Sequence, residues 1–137
     1  MEKQAIETRF SDAEVPFRET RLITARLLHD ILRLGHSSLS DLPFMQAVEI
    51  LMIVTSIFMA ENEGTPLNAS SLSRLLGMPR PTLFRRLSFL TSKDIVRRDG
   101  GLQLNPQIFR TEIRDRDIRR LRQIIIDAGI ALSKMDT

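Results

Sequence analysis

The 137-residue sequence contains no cysteine, no tryptophan and no tyrosine. Without thiols there are no disulfides, no thiolate zinc sites and no cysteine nucleophile, and the composition suits a reducing cytosol. Seven phenylalanines are the whole aromatic complement. That is too few for the stacking platforms that hold single-stranded nucleic acid. His29 and His36 are the only histidines, and neither has an acidic cluster at ligand spacing, so no metal site is expected. There is no glycine-rich phosphate loop, no paired-carboxylate pattern and no nucleophile motif. No catalytic residue and no cofactor follow from these residues, and an enzyme is not expected. The opening stretch "MEKQAIETRFSDAE" is polar and mixed in charge; it has no apolar h-region and no targeting segment is read there.

What is present is an ordinary globular composition, 42% hydrophobic and 27% charged, at a length that fits one domain with a real core. One apolar run, "LPFMQAVEILMIVTSIFMA", is long enough to raise the question of a membrane span. Glu49 near its centre, with Gln46, Thr55 and Ser56, argues against one, as does the lack of flanking Lys, Arg or an aromatic belt. It reads as a buried central helix and no membrane partner is expected.

The net charge of +3 is small, but it is unevenly placed. Residues 1–65 carry six cations and ten acids, residues 99–137 seven and six. Between them lie Arg74, Arg80, Arg85, Arg86, Lys93, Arg97 and Arg98 against one acid, Asp94. This middle segment supplies more than the whole excess, and looks like an electrostatic footprint for a polyanion. Its cations are almost all arginine, whose planar fork suits phosphate or guanine.

Along the chain, residues 1–15 read as a frayed tail. A first helix fits Pro16 to about Leu34, with Gly35 placed to stop it. Its Leu and Ile stripe is wider than one flank of a small domain needs, which points to a partner helix. "HSSLSD" reads as a linker, with Ser40 or Asp41 capping the apolar helix and Pro43 in its first turn. "ENEGTPL" breaks that helix and allows a short extended piece at Pro66–Leu67. "NASSLSRLLG" is a compact helix capped by Asn68, with Leu72, Leu75 and Leu76 inward and Gly77 ending it. Another helix spans about Arg80 to Ser92. "DIVRRDGGLQL" then reads as a hairpin in which Arg98 faces Leu102, Arg97 faces Gln103 and Val96 faces Leu104. In that register Val96, Leu102 and Leu104 point inward, Arg97 and Gln103 outward. A final helix runs from about Gln107 to Ser133, with Phe109, Ile113, Leu121, Ile124, Ile125, Ala128 and Leu132 along one seam. Its arginines, interleaved with Asp115 and Asp117, read as a solvated face.

The resulting order defines the fold class: mainly α with a small β-hairpin wing, a winged helix-turn-helix flanked by N- and C-terminal helices. Residues 1–15 are the tail, 16–42 a dimerisation helix and linker, 43–105 the winged helix-turn-helix, and 106–137 a C-terminal helix for dimerisation. The stretch "LSRLLGMPRPTLFRRLSFLTSKDIVRRDGG" resembles the DNA-binding core of the multiple-antibiotic-resistance (MarR) regulators. Arg80, Pro81, Thr82 and Arg85 match that pattern, and Leu83, Leu87 and Leu90 take its apolar positions. Pro79, Phe84 and Asp94 depart from it, and the short wing is closer to the IclR-type winged domain. The resemblance implies a homodimer paired through its outer helices, working in the cytoplasm on the nucleoid. It extends to a small-molecule effector held between dimer and DNA-binding lobes, for which these residues name no chemistry.

Helical geometry reaches the same face independently. At about 100° per residue, Leu83, Leu87 and Leu90 share one side and Arg85 points opposite, with Thr82 and Phe89 beside it. A helix of this kind enters the major groove by its N-terminal half. Arg85 is therefore the base-reading residue, with Thr82 and Phe84 as groove contacts. Arg80 and Arg86 are assigned phosphate or mixed contacts, and Arg97 or Arg98 in the wing the backbone or minor groove. The expected partner is double-stranded DNA. The competing reading is a winged-helix protein-interaction module that binds no specific DNA.

Overall fold

The computed structural model describes residues 11, 13–108 and 114–135. Its elements are α1 (Arg18–Ser38), α2 (Phe44–Asn62), α3 (Ala69–Leu76), α4 (Arg80–Ser92), β1 (Val96–Arg98), β2 (Leu102–Leu104) and α5 (Asp115–Ser133). The chain divides into two units, Leu32–Ile118 and Met1–Ile31 with Arg119–Thr137.

The Leu32–Ile118 unit is a mostly helical fold with a two-stranded antiparallel wing, as the fold class required. Its core gathers Ile50, Ile53, Val54 and Ile57 from α2, Leu72 from α3, Leu83, Leu87 and Leu90 from α4, and Val96, Leu102 and Leu104 from the hairpin. Ile53, Ile57, Leu72, Leu83, Leu87, Leu90 and Val96 are completely enclosed, each stabilising the fold by about 1.5–3 kcal/mol relative to exposure. The hairpin pairs Val96 with Leu104, Arg97 with Gln103 and Arg98 with Leu102. This is the register that alternation of apolar and polar residues requires, because a slip of one residue would turn Val96 and Leu104 to solvent.

Several boundaries differ from the sequence reading. α1 does not stop at Gly35 but runs on to Ser38, taking half of the supposed linker into the helix. Gly35 marks a close approach instead: a Cβ there would come within 2.5 Å of Leu51 Cδ1. Neither Ser40 nor Asp41 caps α2, whose N-cap is Pro43 with no side-chain hydrogen bond. The connection is closed by His36 Nε2, 2.9 Å from the carbonyl oxygen of Leu42, with the imidazole edge-on to Phe44. α2 is not enclosed on every side either: Phe44, Met45, Met52, Phe58 and Met59 are exposed, and burial is confined to the opposite face. In α3, Leu75 is 62% exposed rather than inward, because Leu72 and Leu76 already fill the space toward α2 and α4.

The final helix is not one rod from Gln107. Residues 106–108 are helical, Arg114 is not, and α5 starts afresh at Asp115. Asp115 and Asp117 in the first turn suit a new N-terminus, where free N–H groups favour negative charge. Phe109, Ile113 and most of the tail (residues 1–10 and 12) lie outside the described residues. Residues 13–17 form turns, and the N–H groups of Glu14 and Val15 donate to the Ser11 carbonyl.

In the second unit, the described parts of α1 and α5 each carry an apolar stripe, yet neither helix buries a single residue. Leu28, Ile125 and Ile130 are about half exposed.

Candidate nucleic-acid interface

The site rests on how α3 is started and stopped. Asn68 accepts from the Ser71 N–H at 2.8 Å, and the Asn68 N–H donates to Ser71 Oγ at 2.9 Å, a reciprocal capping box. Gly77 closes the helix at φ 63°, a left-handed conformation that costs a residue with a Cβ about 1 kcal/mol or more. That turn delivers the chain to Pro79, the N-cap of α4, and Pro81 lies in the first helical turn, where a missing N–H is harmless.

α4 is strongly one-sided. Leu83, Leu87 and Leu90 are buried, while Arg80, Phe84 and Arg85 are exposed and Thr82 is half-buried. The Arg85 guanidinium donates to Thr82 Oγ1 at 3.2 Å one turn earlier. Arg80 hydrogen-bonds Ser70 Oγ on α3, which ties the starts of the two helices together. Arg98 of β1 lies over the Phe84 ring, 5.6 Å from its centroid, so the wing and α4 share one surface.

Two predicted contacts are placed differently. Arg86 turns back to the core: its Nε donates to Glu49 Oε1 of α2 at 2.8 Å, and both side chains are largely screened from water. A double-mutant cycle of Arg86→Ala and Glu49→Ala is expected to return a coupling of about 1 kcal/mol in urea unfolding. No measurable coupling would return Arg86 to the set of free cations. Arg97 is exposed but held by Asp94, with Nε at 2.9 Å from Oδ1 and a terminal nitrogen at 3.0 Å from Oδ2. The Arg97 hydrogen bond above all holds the Asp94 carboxyl below its ordinary pKa; desolvation opposes it, and the Arg97 charge and an Asn105 Nδ2 donor at 3.0 Å add to the lowering. Asp94 also sits at φ 59°, where a glycine is usual, so this network holds the entry to the wing. Phe89, which flanks Arg85 on the helical wheel and could equally pack on the core edge or contact a thymine methyl group, packs on the core edge.

The wing has a second support. The Leu104 N–H donates to Glu61 Oε1 of α2 at 2.6 Å, and the Leu102 N–H donates to the Leu67 carbonyl at 2.8 Å. The extended piece at Pro66–Leu67 thus lies along the outer edge of β2. The sequence reading gives no such role to Glu61, Glu49 or Asn105, while Ser70, a candidate phosphate contact at the start of α3, bonds Arg80. Only Asn105 carried a local sign, as the residue before Pro106 at the end of the strand.

Residues 57–100 match the family model of the IclR helix-turn-helix domain. The match starts within α2 and takes in α3, the turn, α4, β1 and the start of the wing loop. An IclR-type helix-turn-helix at this position supports sequence-specific DNA binding by a transcriptional regulator. No curated protein and no solved structure matches the chain. Among the described residues no three His, Asp or Glu side chains are grouped so as to hold a metal ion.

Proposed function

We propose that the chain is a dimeric transcriptional regulator that reads double-stranded DNA, with α4 in the major groove and the β1–β2 hairpin on the backbone or minor groove. The observation that carries this reading is the one-sidedness of α4. Its leucines are enclosed, and its outer side offers Arg80, Thr82, Phe84 and Arg85 next to Arg98 of the wing. Arg85 suits a bidentate contact to a guanine edge, while Arg80 sits at the helix start, where backbone N–H groups also favour phosphate. With Arg86 held by Glu49 and Arg97 by Asp94, the contact set narrows to Arg80, Thr82, Phe84, Arg85 and Arg98, and Arg97 serves to position the wing.

The dimer reading draws support from α1 and α5. Two long helices with apolar stripes and no buried residue leave large hydrophobic groups in water unless another chain covers them. A pairing of outer helices is the MarR-like arrangement. Under twofold symmetry the two α4 helices would meet half-sites about 34–36 Å apart. Such a regulator would act inside the cell on the nucleoid.

The test is selection from a pool of random duplexes, paired with sedimentation of the free chain. The expected outcome is a dimer that enriches an inverted repeat. Enrichment of a single asymmetric half-site by a monomer would remove the dimer reading and leave DNA reading intact. No enrichment at any salt concentration would sink the DNA reading and move the search to protein partners.

A further inference from the structure

We propose that Phe84 reads the C5-methyl group of a pyrimidine in the major groove, on thymine or on 5-methylcytosine, so that DNA binding senses that methyl. This rests on the reading of α4 as the recognition helix and names a group that the helix selects. Phe84 is one of the departures from the MarR-like pattern, so the contact is not one that the resemblance carries over.

The ring stands apart from the packing of the fold. It is 40% exposed and is absent from the core cluster, which Phe89 of the same helix joins. At about 100° per residue it falls between buried Leu83 and outward Arg85, on the edge of α4 that meets the wing. Arg98 of β1 lies over it, 5.6 Å from the ring centroid. With Ser88, Thr91 and Arg98, Phe84 lines an open cleft of about 520 Å³ between α4 and β1.

That position suits the chemistry of a methylated base. In the major groove a thymine presents O4 and, nearer its own sugar–phosphate strand, the C5-methyl; an unmodified cytosine presents N4 and a bare C5–H. With Arg85 over the base edges and the wing on the backbone, the seam between them comes to the strand side of the groove floor, where that methyl lies. A methyl group makes no hydrogen bond, so it is recognised by apolar surface that displaces water from it. Among the proposed contacts Arg80, Thr82, Phe84, Arg85 and Arg98, only Phe84 has no polar group. Arg98 covers part of the ring and holds it in place, which lowers the entropy lost on contact. No carboxylate among the described residues lies within 4.0 Å of Arg98, so its charge stays available to a neighbouring phosphate.

The test uses the full chain and the duplex it enriches from a random pool. Each thymine of a half-site is replaced in turn by deoxyuridine, and each cytosine by 5-methylcytosine; both changes leave base pairing intact. At one position the methylated base is expected to bind the wild type about three- to tenfold more tightly than its unmethylated form, the effect of one methyl group taken from water. A response at a thymine assigns the methyl to thymine, and tightening at a cytosine assigns it to 5-methylcytosine. Phe84→Ala should bind the methylated duplex more weakly by a comparable factor and make no distinction there, with an unchanged circular dichroism spectrum. Phe84→Leu, which keeps an apolar side chain, should retain part of the distinction. Indifference to the methyl at every pyrimidine, or a distinction that survives in Phe84→Ala, would overturn the proposal and leave the enriched site and the DNA reading standing. Absence of any enriched site would overturn both.

Discussion

Replacing Arg85 with Ala is expected to erase most of the preference for a selected duplex over a scrambled one, while binding at low salt persists. Arg85 lies opposite the buried leucines of α4, and among the described residues its side chain bonds Thr82, a neighbour on the same outer side. A bidentate contact to guanine gives about 1–3 kcal/mol of discrimination, whereas phosphate contacts give affinity that is blind to sequence. The informative quantity is therefore the ratio of the two dissociation constants across a salt series. That ratio should fall by about ten- to a hundredfold in Arg85→Ala, with little change in the salt slope, because a contact to a base edge neutralises no phosphate. Arg80→Ala should act the other way round, lowering affinity for both duplexes with little change in their ratio. An unchanged ratio in Arg85→Ala would take base reading away from this helix.

The largest effect on stability is expected from Leu87→Ala. Leu87 is fully enclosed on the inner side of α4, in the cluster that also takes residues from α2, α3 and the hairpin. Trimming its side chain to a methyl group leaves a hole that four elements would have to collapse together to fill. The expected loss is about 2–5 kcal/mol, a large part of the roughly 5–15 kcal/mol that holds a typical domain folded. With no tryptophan or tyrosine in the chain, the unfolding is best followed by far-ultraviolet circular dichroism in urea. Leu75→Ala is the matched control. The side chain is equally large but stands in solvent at 62% exposure, so its loss should stay within about 0.5 kcal/mol. Comparable losses at the two positions would mean that the core is not where α4 puts it.

The elements that were legible in the sequence are those whose determinants are local. The limits of α4, the capping of α3 by Asn68, its arrest at Gly77 and the hairpin register all follow from residues a few places apart. The errors came where a distant partner decides. Gly35 reads as a helix stop until α1 is seen to pass Leu51 at a distance that a side chain would close. Arg86 reads as one more free cation of α4 until Glu49, thirty-seven residues earlier, is found beside it. Leu75 fits the helical stripe of α3, but an eight-residue helix buries only what its neighbours have room for. Asp94 shows the reverse case: it looked like a departure from a glycine position, and its carboxylate turns out to hold Arg97 and Asn105 in place.

The bond from Leu104 to Glu61 has a mechanical consequence. β2 is a strand of three residues, paired to β1 on one edge and tethered on the other to the Leu67 carbonyl and the last turn of α2. A hairpin held from both sides has little swing of its own, so it tilts when α2 tilts. α2 then works as a lever whose far end is the wing. Whatever repacks the exposed Met and Phe side chains of α2 would change the angle at which the wing is offered, without altering one residue of α4.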